Sequence, residues 1–293
     1  MNKVSIIMNC FNGEKYLHDA LSSVISQTYQ NWELIFYDNQ STDQSKKIFK
    51  SFKDPRFFYH YAETHTKLFK ARNKAMEKAT GDLIAFLDVD DYWSEIKLER
   101  QCDKFKENES LDFVFSKYIV VDEFLNQIKT EQKEDLSKKS IEELIINYQV
   151  GLSTVMLRKN LIKRMNFSFN EDYNIIGDFD AFANLIQKVN FLYMNKELSF
   201  YRWHNNNLST LNNFQELEEL ENWVEKRKNQ VSKDIIKHVK NKIYYMKGIN
   251  KIKKNNFFDS LKHIIFYKGS GKQIKLFIYL IYFKFFKYLK LKK

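Results

Sequence analysis

Residues 4–13 read Val-Ser-Ile-Ile-Met-Asn-Cys-Phe-Asn-Gly, an apolar run rich in β-branched residues that ends in a polar loop. An apolar run of this length without polar alternation predicts a strand buried on both faces, as in a parallel sheet. Residues 14–27 follow with apolar side chains at helical spacing, and a second apolar run covers 32–37. Strand, helix and strand in this order predict an α/β fold with a doubly wound, mostly parallel sheet flanked by helices.

The same alternation continues through the next fifty residues. Ser41 or Thr42 is expected to cap a helix that runs toward Phe52. Because ligands of such sheets bind beyond the carboxyl ends of the strands, the polar loops that end three of them are expected to meet at one edge. The remaining elements expected in this part are a strand over 57–61, a helix around 71–79 and a strand over 83–87; the three loops are 9–12, 38–41 and 88–91.

The last of these loops carries three carboxylates. Residues 86–91 read Phe-Leu-Asp-Val-Asp-Asp, so a strand runs directly into Asp88, Asp90 and Asp91. Crowding like charges in a partly buried place is unfavourable unless a cation or a proton compensates. Oxygen ligands of this kind suit Mg²⁺ or Mn²⁺, whose coordination is usually completed by substrate phosphates. The alternative is a charged loop that caps a strand.

Composition limits the protein classes to consider. The chain has 293 residues, enough for one large α/β domain and an appendage, with 26 Phe and 17 Tyr but only 7 Gly and 1 Pro. The two cysteines lack metal-type spacing and, with no signal peptide expected, favour a cytoplasmic protein. Neither a dinucleotide-binding Gly-x-Gly-x-x-Gly nor a P-loop is present. A nucleotide would therefore be held through side chains and a metal.

Several motifs in the right order carry a resemblance to a known family. They lie densely in the first 95 residues and more sparsely to about residue 210. Together they resemble family 2 of the inverting glycosyltransferases, of the bacterial surface-glycan type, which have the GT-A fold. The motifs are residues 4–12, Tyr16-Leu17, residues 26–29, residues 32–35, residues 38–43, Ala71-Arg72-Asn73, Gly81-Asp82 and residues 86–91.

The resemblance implies a donor site for a UDP-sugar. It implies that the uracil and ribose are held by Asn9, Phe11, Asp38 and Asn39. The same motifs also include Asn12. Asn39 stands where the family has a second Asp, and residues 9–12 read Asn-Cys-Phe-Asn where it has Pro-Thr-Tyr-Asn. An amide can still pair with a pyrimidine edge, since it offers both a donor and an acceptor.

The resemblance also implies a divalent ion, Mn²⁺ or Mg²⁺, on the diphosphate. Asp88 and Asp90 would hold it, and Asp91 would be a further ligand or orienter. Arg72 would face the nucleotide or its phosphates; its alternative is an exposed helix charge. His204 would ligate the metal or donate to the diphosphate, and its alternative is an ordinary structural hydrogen bond.

By the same resemblance, Asp178 is the general base that takes the proton of the acceptor hydroxyl. Gly177 stands where relatives have a Glu before this Asp. The alternative role for Asp178 is to stabilise the start of its helix, and Asp180 and Asp172 are the reserve candidates. Trp93 would either floor the acceptor pocket or belong to the core.

The C-terminal part of the chain differs from the rest. We expect a glycosyltransferase domain over 1–212 and a helical extension over 213–293. Residues 257–293 hold nine Lys and one Asp, a net charge of +8 out of the chain's +11. This aromatic, lysine-rich segment suits a helix lying in an anionic membrane interface, or a helical bundle that shows its lysines to water. It contains no Arg and the chain has no nucleic-acid motif, so a nucleic-acid partner is not expected.

These features predict a metal-dependent inverting glycosyltransferase. It would move a hexose or N-acetylhexosamine from a UDP-sugar to a hydroxyl of a glycan or lipid-linked glycan, in the cytoplasm at the inner face of the membrane. One alternative is transfer to a polyprenyl phosphate. The other is a catalytically inactive basic module that binds membrane surfaces.

Overall fold

The computed structural model describes residues 2–130, 140–147, 150–208 and 213–253. The chain divides into two compact units, residues 1–207 and 208–293. The four residues before the predicted boundary at 212 lie outside the described residues. The lysine-rich segment 257–293 also lies outside them. Both interpretations stay predictions.

The first unit alternates strands and helices as expected. Among its described residues, the strands are β1 Val4–Cys10, β2 Trp32–Asp38, β3 Phe57–Tyr61, β4 Leu83–Phe86, β5 Tyr92–Trp93, β6 Phe113–Val121, β7 Gln127–Thr130, β8 Met156–Arg158 and β9 Phe191–Arg202. The helices are α1 Leu17–Ile25, α2 Ser45–Ser51, α3 Leu68–Met76, α4 Lys97–Glu107, α5 Ile141–Asn147, α6 Lys159–Met165 and α7 Gly177–Leu185.

The nine strands form one sheet. Its order is β3-β2-β1-β4-β8-β6-β9-β5, with β7 paired to β6. The strands β3, β2, β1 and β4 are parallel, as the first ninety residues predict, and β6 is parallel to β9. The strand β8 joins the two halves through antiparallel pairs with β4 and β6. The α/β fold class is therefore confirmed.

Every residue of β1, β2 and β4 is buried, which explains why these strands read as unbroken apolar runs. Helices α1 and α4 cover this part of the sheet with side chains such as Leu21, Leu98 and Phe105, all of which are at most 1% exposed. The apolar residues of each helix recur on one face, so burying that face against the sheet fixes the helix in place.

The predicted cap of the second helix is wrong. Helix α2 begins at Ser45, and neither Ser41 nor Thr42 caps it. The Asp43 carboxylate instead accepts a hydrogen bond from the Ser45 amide, at 3.0 Å. Both residues proposed as caps are used elsewhere, because the Ser41 hydroxyl and the Thr42 amide hydrogen-bond to Asn12 across the neighbouring loop.

The described part of the second unit is helical. It contains α8 Asn213–Arg227 and α9 Lys233–Lys253, and Lys242 on α9 pairs with Glu216 on α8 at 2.7 Å. Leu220, Trp223 and Ile235 are buried. Across the described residues of the whole chain, no helix combines the length and the apolar character needed to cross a membrane.

The core of the first unit contains a buried lysine. Lys97 is fully buried at the start of α4, where its ammonium donates to Gln101 at 2.7 Å and lies 4.1 Å from the centre of the Trp93 ring. Among the described residues it has no ion-pair partner. Burial lowers the pKa of Lys97 from 10.5 to about 7, because an unpaired charge is poorly solvated in the interior.

We expect this lysine to make stability depend on pH. Its pKa is lower in the folded than in the unfolded chain, so between about pH 7 and 10.5 the unfolded state binds more protons. The free energy of unfolding should therefore rise with pH in this window, by up to about 1.4 kcal/mol per pH unit. Lys97→Met should be more stable at pH 7 and lose that slope.

Urea unfolding of both proteins between pH 6 and 10 measures the effect as a difference, which removes contributions from other groups. Lys104→Met, on the exposed face of the same helix, is the matched control and should leave the slope unchanged. Equal slopes for wild type and Lys97→Met would contradict the assignment.

Candidate active site

The three polar loops lie together at the carboxyl edge of β1, β2 and β4. The Asn39 amide donates to the Cys10 carbonyl at 2.8 Å, and the Leu87 amide donates to the Ile7 carbonyl at 3.0 Å. The loop after β1 also touches the aspartate loop, since a Cβ on Gly13 would lie 2.8 Å from a methyl group of Val89. Only glycine allows this approach. The parallel sheet thus brings together side chains that lie up to eighty residues apart.

Arg72 and Asp88 form an ion pair at this edge of the sheet. An Nη atom of Arg72 donates to Asp88 Oδ1 at 2.6 Å, and the guanidinium packs between Phe69 and Phe169. The Arg72 side chain is 3% exposed, so the alternative of an exposed helix charge is wrong. Burial raises the pKa of Asp88, with Arg72 opposing this and the charges of Asp90 and Asp178 adding to it. Asp88 is therefore close enough to feel the charges of the other three groups.

Asp90 lies against His204. The carboxylate oxygen Oδ2 is 3.1 Å from His204 Nε2, and Asn207 Nδ2 lies 3.4 Å from the same oxygen. Asn207 also fixes the histidine, because its side-chain oxygen accepts from the His204 amide at 2.6 Å. The Tyr16 ring lies 4.8 Å from the imidazole. Two of the three predicted metal ligands are thus held side by side.

Asp91 has a different role from its neighbours. It is 3% exposed, and its two oxygens accept from the Ser153 hydroxyl at 2.8 Å and the Arg202 amide at 3.0 Å. Burial raises the pKa of Asp91 well above its usual range, and the charges of Asp90 and Asp88 add to the effect. Both oxygens are occupied, so Asp91 ties β9 and the turn at residues 152–154 to the aspartate loop.

The donor set fits a divalent ion only if the ligand supplies part of the coordination. Within the described ranges, no three His, Cys, Asp or Glu side chains are arranged as a metal cluster. Asp90 and His204 are in contact. Asp88 is near enough to Asp90 for the Asp90 charge to raise the pKa of Asp88. Carboxylate oxygens and an imidazole are suitable ligands, and Mg²⁺ or Mn²⁺ commonly binds through one or two carboxylates plus phosphate oxygens.

The end of β1 presents an unpaired amide. Asn9 is 7% exposed, and neither its Oδ1 nor its Nδ2 has a hydrogen-bond partner among the described residues. A buried polar group without partners is unfavourable by about 1–3 kcal/mol, so a ligand that pairs with both atoms would recover that free energy. Nearby Phe11 is 52% exposed, and its ring centre lies 4.4 Å from that of His65.

The remaining predicted donor-site residues hold loops together. Asp38 is fully buried and accepts from the Ser41 amide and the Tyr59 hydroxyl. The side-chain amide of Asn39 pairs with the backbone of Thr66: its Nδ2 donates to the Thr66 carbonyl, and its Oδ1 accepts from the Thr66 amide. Asn12 Oδ1 accepts from the Thr42 amide at 2.8 Å. A base contact through the Asn39 side chain would require breaking its pairing with Thr66.

Asp178 stands in the first turn of α7, half-buried. Its Oδ1 accepts from the amide of the next residue, Phe179, at 2.8 Å, but the N-cap of α7 is Ile176 and, among the described residues, no side chain caps the helix. The charge of Asp178 also acts on Asp88. The reserve candidates are less well placed. Asp180 is 3% exposed and contacts Asn184 on its own helix, whereas Asp172 is exposed on the preceding turn.

Close packing explains the glycine before this aspartate. A Cβ on Gly177 would lie within 2.6 Å of several atoms of the Phe69 ring, which is itself 2% exposed. Phe69 and Arg72 share one face of α3, and the Arg72 guanidinium lies 5.2 Å from that ring. Gly177 therefore allows α7, with Asp178, to approach the helix that carries the arginine. A Glu at this position would not fit beside Phe69.

We expect Gly177→Ala to destabilise the first unit by about 1–3 kcal/mol, because overpacking a filled core forces side chains off their rotamers. Chemical denaturation measures the change. The matched control is Gly151→Ala, whose added Cβ would meet ordinary contacts no closer than 3.4 Å. Combining Gly177→Ala with Phe69→Leu should recover part of the loss; strict additivity of the two changes would contradict the contact.

Sequence reasoning missed several residues of this site and left the role of Trp93 open between a pocket and the core. Trp93 is 3% exposed and donates to the Ser153 carbonyl at 2.8 Å, so it belongs to the core and does not floor a pocket. Asn207 and Ser153 carried no sequence signal. Arg202 lies in the element Tyr201-Arg202-Trp203-His204, which resembles the family's Tyr-Arg-x-His, but nothing in the sequence indicated its ion pair with Asp19 at 2.8 Å. Their partners are remote in sequence, by 183 residues for Arg202 and Asp19.

The chain is similar to several known proteins. The family model described as glycosyl transferase family 2 matches residues 5–183. A UDP-Glc:alpha-D-GlcNAc-diphosphoundecaprenol beta-1,3-glucosyltransferase of Escherichia coli, WfgD, is 32% identical over 83% of this chain and 90% of its own length. A putative teichuronic acid biosynthesis glycosyltransferase of Bacillus subtilis, TuaG, is 30% identical over 71% of this chain and 81% of its own.

Solved structures show the same fold. Residues 1–349 of S. aureus TarS superpose with a TM-score of 0.65 at 20% identity, covering 85% of this chain and 74% of that one. The mannosyltransferase PcManGT of Pyrobaculum calidifontis, in complex with GDP-Man and Mn²⁺, gives 0.62 at 12% identity, covering 94% and 79%. The matched family model and these relatives show that the chain belongs to glycosyltransferase family 2 and is a glycosyltransferase with the GT-A fold.

Proposed function

We propose that this enzyme is a metal-dependent inverting glycosyltransferase that transfers a hexose or N-acetylhexosamine from a UDP-sugar to a hydroxyl of a glycan. The observation that carries the proposal is the placement of Arg72, Asp88, Asp90 and His204 at one edge of the sheet, with Asp178 close enough for its charge to act on Asp88. Arg72 would neutralise the diphosphate. Asp88, Asp90 and His204 are suited to an ion, and Asp178 can take a proton.

The donor would lie along the carboxyl edge of the sheet. Asn9 offers an unpaired donor and acceptor, which matches the edge of a pyrimidine, and the exposed ring of Phe11 offers a face for the base. Asp38, Asn39 and Asn12 keep these loops in place. Arg72 would lie near the phosphates, where its charge stabilises the departing UDP.

Asp88, Asp90 and His204, together with the diphosphate, would hold Mn²⁺ or Mg²⁺. When bound, the ion supplies positive charge that favours departure of the diphosphate, so no general acid is needed. Asp178 takes the proton of the acceptor hydroxyl as the new bond forms. A single displacement at the anomeric carbon inverts its configuration. General-base help of this kind contributes roughly 10² to 10⁴ in rate.

The acceptor is proposed to be a sugar linked through a diphosphate to a polyprenyl lipid, at the inner face of the cytoplasmic membrane. Support comes from the names of two relatives, WfgD and WfaP of Escherichia coli, both of which act on alpha-D-GlcNAc-diphosphoundecaprenol with UDP-Glc. The role of such enzymes in assembling bacterial surface glycans is proposed for this chain on the same basis.

UDP release tests this function. Purified enzyme is incubated with a panel of UDP- and GDP-sugars and with GlcNAc-diphosphate-lipid, in Mn²⁺ and after chelation. The expected result is acceptor-dependent release of UDP from one UDP-sugar, lost on chelation and restored by added Mn²⁺. Release that persists without divalent ions would remove the metal from the proposal. A parallel incubation replaces GlcNAc-diphosphate-lipid with polyprenyl phosphate; transfer to that phosphate and not to the lipid-linked sugar would replace the proposed acceptor.

A further inference from the structure

The hairpin that connects β6 and β7 presents apolar side chains to solvent. Phe124 is 84% exposed, Ile128 is 54% exposed and Leu125 is 46% exposed. We call these three residues the apolar tip. Phe124 has the highest exposure of any large apolar side chain in the described residues. Soluble proteins rarely gather such side chains at one protrusion unless something covers them.

The turn that carries the tip is held firmly. The Asp122 carboxylate accepts hydrogen bonds from the backbone amides of Phe124 and Asn126, both at 2.9 Å, and from the Asn126 side chain at 3.0 Å. The carboxyl group of Asp122 is therefore fully used inside the turn. The direction in which Phe124 and Leu125 project is set by this network.

Leu125 also has an unusual backbone conformation. Its φ is 66°, in the left-handed region that glycine or asparagine adopts with less strain. A leucine there is unfavourable by about 1 kcal/mol or more. If the turn only had to close, glycine would serve better. An apolar side chain at a strained and exposed position indicates a contact outside the chain.

The hairpin lies beside the candidate active site. At its base, the Trp203 amide donates to the Val121 carbonyl at 2.8 Å, and the next residue is His204, paired with Asp90. In the turn, Glu123 pairs with Lys15 at 2.6 Å, next to the start of α1. The Trp203 side chain adds a further exposed aromatic, at 46%.

Charge and area decide which partner suits the tip. Of the two acidic groups of the turn, Glu123 pairs with Lys15 and Asp122 accepts three hydrogen bonds from amides. Both can stay at the level of the lipid headgroups while only the apolar side chains enter the hydrocarbon, so insertion buries no unpaired carboxylate. Three side chains fall well below the roughly 800 Å² per partner of a stable protein interface. A hydrocarbon phase has no such threshold, since each buried apolar side chain contributes by itself.

We propose that the apolar tip inserts into the membrane interface and holds the active site against the bilayer that carries the lipid-linked acceptor. This inference rests on the proposed function for its acceptor. It assigns membrane contact to the catalytic unit itself, independently of the lysine-rich segment 257–293.

A fluorescence experiment tests insertion directly. Full-length Phe124→Trp is mixed with vesicles of phosphatidylethanolamine and phosphatidylglycerol, and the emission of wild type, with its four tryptophans, is subtracted. The expected result is a blue shift and quenching by lipids brominated on the acyl chain. Phe58→Trp, an exposed position on edge strand β3, is the matched control and should show neither. Absence of quenching at position 124 would overturn the proposal.

Kinetics with two acceptors give the second test. For Phe124→Ser and for Leu125→Gly, KM for GlcNAc-diphosphate-lipid in vesicles should rise about tenfold, the value expected for losing one apolar anchor. KM for a short-chain, water-soluble acceptor should not change. Leu125→Gly should be at least as stable to heat as wild type, because its turn loses strain.

Three outcomes would overturn the proposal: unchanged KM in vesicles, an equal loss with the soluble acceptor, or a wild-type dimer that Phe124→Ser dissociates. If wild type transfers to neither acceptor, the proposed function fails, and the fluorescence experiment still decides whether the tip inserts.

Discussion

Asp178→Asn should lower kcat for transfer by about 10² to 10⁴ while leaving the affinity for the UDP-sugar unchanged. Asparagine has nearly the same shape as aspartate and keeps an oxygen that can accept from the Phe179 amide, which lies 2.8 Å from Asp178 Oδ1 in the wild type. The start of α7 is therefore preserved. What is lost is the ability to take a proton. The prediction thus separates the base role from a role in stabilising the first turn of α7.

Single-turnover transfer and thermal shift with the UDP-sugar measure the two effects. Asp172→Asn is the control, an exposed aspartate in the preceding turn, and should keep wild-type kinetics. Asp180→Asn tests the buried aspartate of the same helix and should affect stability more than kcat. Full turnover by Asp178→Asn would show that the base lies elsewhere.

Asp90→Ala should abolish the part of UDP affinity that depends on the divalent ion. The Asp90 carboxylate lies 3.1 Å from His204 Nε2 and is 27% exposed, so it is accessible to a ligand on one side and oriented on the other. Removing it takes away one of the few protein groups suited to an ion. Because the affected group is partly exposed, we expect only a small change in the stability of the fold.

Isothermal titration with UDP, with and without Mn²⁺, measures this loss. Asp91→Ala is the informative comparison, because that carboxylate is buried and accepts two hydrogen bonds. Its removal should destabilise the protein by about 1–3 kcal/mol, since the Ser153 hydroxyl and the Arg202 amide lose their acceptor. Asp103→Ala, a surface aspartate on α4, should change neither property. Unchanged Mn²⁺ dependence in Asp90→Ala would contradict the metal role.

Much of the fold could be predicted from the sequence because local patterns report it. Strands β1, β2 and β4 are buried on both faces, and this leaves an apolar run that no solvent-facing residue interrupts. The prediction for the second helix cap failed for an equally physical reason. Ser41 and Thr42 have the right chemistry for a cap, but a neighbouring loop, held by Asn12, uses their hydrogen-bonding groups.

The candidate site was predictable only in part. Polar loops that end parallel strands must converge, so the sequence alone was enough to place Asp88 and Asp90 at one edge of the sheet. The resemblance left Asp91 open as a further ligand or an orienter, and only the structure shows that both of its oxygens are used internally. Gly177 is a second case. The sequence shows only a Gly where relatives have a Glu, and the structure shows that the Phe69 ring leaves no room for a side chain there.

By itself, the sequence determined the family, the order of the first strands and helices, and the edge at which carboxylates gather. The family follows from the resemblance of its ordered motifs, and the elements and the edge follow from period and spacing, which are properties of neighbours along the chain. The tertiary structure alone decided that Arg72 is buried against Asp88, that His204 adjoins Asp90, and that the apolar tip projects beside both. Those facts depend on contacts between residues up to 114 positions apart. Such contacts exist only once the strands have paired into the sheet and the helices have packed on it.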